Sequence, residues 1–147
     1  MTDYLKLRAG TLRGCIGGPL PSMKNGRRIV SIRARGAMNA RPLSIKSAAA
    51  LAFVGKLERA YWEALAGRTI GAADFPLTGR LEIFAICYQR ETKGPHRKDV
   101  DIELLCDALQ AAGILADDWD LWTKSARRVI DENPRTEFQI SRMSDMV

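Results

Sequence analysis

RLEIFAICYQR, residues 80–90, is the stretch of this sequence that decides the fold. Side chains of a strand alternate between two faces, and here both sets are apolar, with Leu81, Ile83, Ala85 and Cys87 alternating with Phe84, Ile86 and Tyr88. A strand that is apolar on both faces is typical of the centre of a sheet that is covered on both sides. The sequence therefore predicts a central strand here, around which the other elements are arranged.

One helix is predicted before this strand in the chain and another after it. Residues 47–66 carry apolar side chains at helical spacing, with Ser47 as a candidate N-cap and Gly67 as a candidate stop. After the strand, Asp101 is a candidate N-cap for a helix that carries an apolar stripe and ends at Gly113.

Further strands are predicted over residues 3–8, 120–130 and 135–142, the last two as a closing pair. The order of elements predicts an α/β (α+β) fold, a small mixed sheet with two main helices. The length of 147 residues predicts one domain over residues 1–147.

A basic hairpin is predicted near the N-terminus. Asn25-Gly26, at the end of the loop CIGGPLPSMKNG, favours a tight turn, and the alternating strand RRIVSIRAR follows it. Arg33 and Arg35 would share one face at a spacing of about 7 Å, which suits a phosphate backbone. An ordinary hairpin with one solvated face explains the pattern equally well.

Composition limits the class of protein. The chain is 46% hydrophobic and 27% charged, and no apolar run approaches the roughly 18 residues of a membrane helix. No secretory signal is expected at the N-terminus. The chain has one histidine, His96, and three widely spaced cysteines, so a zinc site is not expected. The cysteines are expected to be reduced thiols in a cytoplasmic protein.

The charge is divided unevenly along the chain. Residues 1–60 hold twelve Lys or Arg and two acids, a net charge of +10, whereas residues 61–147 hold eleven and fifteen, a net charge of −4. A strongly basic half favours a polyanionic partner such as nucleic acid, although a solvated basic surface is the simpler alternative.

Carboxylates are concentrated in RKDVDIELLCDALQAAGILADDWDL, residues 97–121, which holds seven of the 17 acids. A helix rises about 1.5 Å per residue, so residues 101–112 rise about 16 Å. Residues 113–118 can return over a similar distance, at about 3.3 Å per extended residue. Asp118, or Asp117, can therefore lie beside Asp99 and Asp101 at the start of the helix.

Three or four carboxylates in one place repel one another and favour a bound cation. Oxygen ligands without histidine or cysteine favour Mg²⁺, with Mn²⁺ as the alternative. The simpler interpretation makes Asp99 a surface residue, Asp101 a cap and Asp117-Asp118 a turn.

KDVD at 98–101, DAL at 107–109 and AGILADD at 112–118 together resemble the core signature of the RusA-type Holliday junction resolvases. The resemblance implies a dimeric, Mg²⁺-dependent endodeoxyribonuclease that resolves four-way DNA junctions in recombination and repair, as in bacteria and their prophages. It implies that Asp99, Asp101 and Asp118 are the catalytic, metal-binding carboxylates. Glu103 and Asp117 are further candidate ligands.

The sequence departs from the family pattern at several positions. Ile102 stands where the family has Asn, no Lys follows one turn into the helix, and the interval from Asp101 to Asp107 is about two residues shorter. The segment WDL replaces the Gln that usually follows the paired Asp. Lys93 or Lys98 could supply the missing cation.

Three functions follow from these observations. The first is the endonuclease, acting as a homodimer on branched DNA without a membrane partner. The second is a weakened member of the family that binds branched DNA without cutting it. The third is a non-enzymatic basic adaptor. The candidate DNA-binding residues are Arg27, Arg28, Arg33, Arg35, Lys93, Arg97 and Lys98.

Overall fold

The computed structural model describes residues 3–21, 27–32, 41–46, 48–90 and 100–143. As predicted, the fold is mixed α+β, with a five-stranded mixed sheet and two helices; a second sheet of two strands accompanies them. The strands are β1 (Tyr4–Arg8), β2 (Thr11–Gly17), β3 (Arg27–Ile32), β4 (Arg41–Lys46), β5 (Leu81–Gln89), β6 (Leu121–Ile130) and β7 (Arg135–Arg142), and the helices are α1 (Ala48–Ala66) and α2 (Glu103–Ala111).

The five-stranded sheet has the order β1-β2-β7-β5-β6. Strand β5 is inside the sheet, as predicted, parallel to β6 and antiparallel to β7. The predicted pairing of β6 with β7 is wrong, because β5 lies between them. The connection from β6 to β7 passes the end of β5, where the amide of Asp131 donates to the carbonyl of Gln89 at 2.8 Å.

The two faces of β5 differ, which corrects the prediction that both are covered. Ile83 and Ala85 are fully buried in the core, whereas Phe84 and Ile86 on the opposite face are partly exposed. Register extends this division across the sheet, because paired residues share a face. One face therefore packs against the helices, and the other is open over much of its described area.

Helix α1 covers the buried face of the sheet. It presents Phe53, Leu57 and three alanines to the core and packs against β1, β2 and α2. The predicted stop is confirmed: Gly67 follows the helix, and its amide donates to the carbonyl of Glu63 at 2.8 Å. The candidate N-cap Ser47 lies outside the described residues.

Strand β2 includes Cys15–Gly17, which the sequence analysis assigned to a loop. Leu12 and Ile16 are fully buried, so packing in the core outweighs the weak strand propensity of the glycines. Ala9 and Gly10 form the turn before it, both with positive φ. Because Ala9 is not a residue that usually adopts this conformation, the turn carries no clear sequence signal.

Strand β3 confirms the strand predicted within RRIVSIRAR but not the proposed hairpin. Its described partner is β4, which follows it in the chain. Asn25 and Gly26, the predicted turn, lie outside the described residues, as do Arg33 and Arg35.

The three cysteines, Cys15, Cys87 and Cys106, are all buried, and none forms a disulfide, as predicted. Among the helices that the structure describes, none is both long and apolar enough to cross a membrane.

Candidate active site

Asp101 begins the site by capping α2. Its Oδ1 accepts a hydrogen bond from the amide of Glu103 at 2.9 Å, which satisfies one of the unpaired donors at the helix start. Ile102, the residue directly before the helix, is buried. The N-cap is Ile102, so the prediction of Asp101 as N-cap is wrong by one residue, although its side chain does accept the first amide of the helix.

The chain after α2 turns back along the helix. Gly113 takes a positive φ of 84°, and the buried Ile114 and Leu115 follow. Leu77 holds this segment with two backbone hydrogen bonds, one to the carbonyl of Ile114 at 2.8 Å and one from the amide of Ala116 at 3.1 Å. The chain therefore turns back after Gly113, whereas the approach of Asp118 to Asp101 at the start of α2 stays a prediction.

Asp117 and Asp118 lie at the end of this return, beside α2. The Asp117 carboxylate accepts the amide of Trp119 at 3.0 Å, which begins the short 3₁₀ helix Asp118–Asp120. The amide of Asp118 donates to the Gln110 side chain at 3.3 Å. Asp118 is thus anchored alongside the helix, through a residue of its second half.

Cys106 is a buried residue of α2 whose thiol pKa is influenced by several charged side chains. Burial raises the pKa of its thiol to about 11, the positive charge of Lys124 opposes this, and Glu103, Asp107 and Asp118 add to it. Two carboxylates of α2 and one of the return segment therefore act on the same buried atom. Of these three acids, Glu103 and Asp118 are predicted ligands, and the hydrogen bond of Asp118 is to Gln110 near the end of α2.

Lys124 is a residue that the sequence analysis missed. It pairs with Ile83 in the β5–β6 register and so faces the helices, where its Nζ lies 3.7 Å from Glu103 Oε1. The family pattern has a Lys about one turn into the helix, and the replacements expected for it were Lys93 and Lys98 of the preceding loop. Only the parallel pairing of β6 with β5 brings Lys124 to the acids, and no sequence motif marks that pairing.

The described residues alone do not form the predicted metal site. Within residues 3–21, 27–32, 41–46, 48–90 and 100–143, no three Asp, Glu, His or Cys side chains are grouped so that they could hold a metal ion. Asp99, the first predicted ligand, lies outside these ranges. The grouping of Asp99, Asp101 and Asp118 therefore stays a prediction.

The predicted DNA-binding residues are mostly beyond the described part of the chain. Arg27 and Arg28 belong to β3, whereas Lys93, Arg97 and Lys98, together with the two later hairpin arginines, lie outside.

No protein-family model matches the sequence, and no curated protein matches it significantly.

Proposed function

We propose that this chain is a divalent-metal-dependent endodeoxyribonuclease of the RusA type that cuts branched DNA. The observation that carries the proposal is that the Asp101 carboxylate is held at the start of α2, while Asp118, on the segment after the helix, is hydrogen-bonded to the same helix through Gln110. Acids from helix and return segment would be expected to repel, and a divalent cation or a nearby cation offsets that repulsion.

The ligands in this proposal are Asp99, Asp101 and Asp118, with Asp117 and Glu103 as further candidates. A bound Mg²⁺ or Mn²⁺ would supply an activated water and stabilise charge on the scissile phosphate. The cap formed by Asp101 fixes that carboxylate at the start of a rigid helix. Lys124 balances part of the acidic charge, since its Nζ lies 3.7 Å from Glu103 Oε1.

DNA binding is proposed to come from the basic part of the chain. Residues 1–60 have a net charge of +10, and Arg27, Arg28, Arg33 and Arg35 lie within it. Contacts to phosphates would position DNA without reading its sequence. A four-way junction has two equivalent strands to cut, so a cytoplasmic homodimer with two sites suits this substrate.

A second function, binding branched DNA without cleavage, is favoured by Ile102. This residue occupies the position of the family's Asn and is buried, with 6% of its surface exposed. It therefore packs in the core and offers no polar group to the site. A protein of this kind would bind a junction as tightly as the nuclease but leave its strands intact.

Cleavage of a synthetic four-way junction tests the proposal. With millimolar Mg²⁺ or Mn²⁺, the wild type should nick two opposing strands, and Asp101→Asn should abolish cleavage because a charged oxygen ligand of the cation is lost. Asn keeps the capping oxygen, so the helix should stay intact. Glu58→Gln, an exposed charge on α1, is the matched control and should cut normally.

Junction binding without cleavage by the wild type would select the second function. Equal affinity for the junction and for a linear duplex of the same length would contradict both functions, and would leave the non-enzymatic adaptor as the remaining hypothesis.

A further inference from the structure

The open face of the sheet carries a basic and aromatic surface that lies across the sheet from α2. Leu5, Leu12 and Ile83 are buried toward the helices. Their neighbours along each strand face the other way. On β1, β2 and β5, this places the following side chains on the open face: Tyr4, Lys6, Arg8, Arg13, Phe84 and Ile86.

Two concavities with shared lining residues lie on this surface, and together they are called the groove. One, of about 570 Å³, is lined by Tyr4, the basic side chains of Lys6, Arg8 and Arg13, and the turn that joins β1 to β2. The other, of about 200 Å³, shares Tyr4 and Arg13 and extends to Phe84. From β1 to β5 the groove crosses three strand spacings, about 14 Å at about 4.8 Å each.

The charge of the groove favours an anionic partner. In the part of the chain that the structure describes, no ion pair joins Lys6, Arg8 or Arg13 to a carboxylate. Glu137, an acid that lines the groove, is already paired with Arg135, whose Nε lies 3.3 Å from Glu137 Oε1. Three positive charges therefore remain without a described counter-charge along one side of the groove.

The aromatic residues indicate which class of anionic partner the groove would bind. Tyr4 is 39% exposed, Lys6 Nζ lies 5.0 Å from its ring centroid, and Phe84 is partly exposed further along the groove. Cations beside accessible rings are the combination that binds single-stranded nucleic acid, whose phosphates pair with the cations and whose bases stack on the rings. A duplex cannot use the rings, because its bases are already stacked on one another.

We propose that this groove binds an unpaired DNA strand, with phosphates at Lys6, Arg8 and Arg13 and a base on Tyr4. The choice of DNA over RNA rests on the proposed function. The groove itself is separate from the candidate active site, because α2 packs on the opposite face of the sheet. A nuclease that acts on branched DNA would meet unpaired strands where the branches open.

Binding of a fluorescein-labelled oligothymidine, followed by anisotropy over a range of salt concentrations, tests the groove. Tyr4→Leu should weaken binding about tenfold or more, since stacking on an aromatic ring is lost. Arg13→Gln should weaken binding and lower the slope of log K against log salt by about 0.7. Trp62→Leu and Arg59→Gln, both exposed on α1, are the matched controls and should bind as the wild type does.

The same measurement with Asp101→Asn separates this proposal from the proposed function. That variant should keep full affinity for the single strand even though it loses cleavage. If the wild type binds single strands through Tyr4 but never cuts DNA, the proposed groove is supported and the proposed nuclease function is not. Wild-type affinity in both Tyr4→Leu and Arg13→Gln would overturn the proposal. So would a preference of more than tenfold for the matching RNA, or a dimer in light scattering that Tyr4→Leu converts to monomers, since a second copy would then cover this face.

Discussion

Among the glycines that the structure describes, Gly14 is the one at which an added Cβ would come closest to other atoms. It lies on β2, where an added Cβ would come 2.7 Å from Leu5 Cδ2 and would also meet the ring of Phe138. Both neighbours are buried in the core, so neither can move away freely.

Gly14→Ala should therefore lower the free energy of unfolding by about 1–3 kcal/mol, as overpacking does elsewhere. Gly55→Ala is the matched control: it lies in α1 with nothing within 4 Å of an added Cβ, and should raise stability by about 0.5–1 kcal/mol. Urea unfolding of the two variants measures both effects, and equal stability of Gly14→Ala and the wild type would contradict the packing described here.

The buried thiols make stability depend on pH in the alkaline range. Burial raises the pKa of Cys87 and of Cys106 from 9.0 to about 11. Below pH 9 both thiols are protonated in the folded and the unfolded chain, so they add no pH dependence. Between about pH 9 and pH 11 only the unfolded chain ionises, and the free energy of unfolding should fall.

The variant Cys87→Ala/Cys106→Ala should show a shallower fall over the same range, whatever its stability at neutral pH. Urea unfolding at several pH values gives both slopes. Parallel slopes for the wild type and the variant would show that these thiols do not have raised pKa values in the fold.

For the element α2, two substitutions distinguish the structural role of Asp101, as a hydrogen-bond acceptor at the helix start, from its proposed role as a metal ligand. Asp101→Ala removes the hydrogen bond to the amide of Glu103, and should cost about 1 kcal/mol of stability. Asp101→Asn keeps an oxygen acceptor and should stay within about 0.5 kcal/mol of the wild type. Similar losses in both variants would mean that the charge of Asp101, and not its capping oxygen, stabilises the helix start.

The sequence predicted the elements better than their pairing. Both helices and the central strand were predicted because their periodicity is local and strong. The β1–β2 hairpin was missed because Ala9 gives no turn signal, and β6 was paired with the wrong strand because strand order depends on contacts between distant segments. Lys124 was missed for the same reason, since only the sheet register brings it to Glu103.

At the scale of the whole molecule, the uneven charge predicts how binding responds to salt. The N-terminal 60 residues have a net charge of +10, enough for several phosphate contacts. Affinity for a four-way junction should fall about 10³–10⁵-fold between roughly 50 and 200 mM salt if 6–10 phosphates are contacted. Anisotropy titrations measure this; an affinity that is insensitive to salt would exclude the basic half of the chain as the binding surface.

The proposed role of the acids in residues 97–121 is to hold a divalent cation, and thermal unfolding with added Mg²⁺ tests this role without DNA. If the dissociation constant is about 1 mM, about 10 mM Mg²⁺ should stabilise the fold by about 1.4 kcal/mol and raise the Tm by about 4 °C. The account predicts this rise for the wild type and for Glu58→Gln, and its loss in Asp101→Asn. An unchanged Tm in the wild type, or an equal rise in Asp101→Asn, would contradict it.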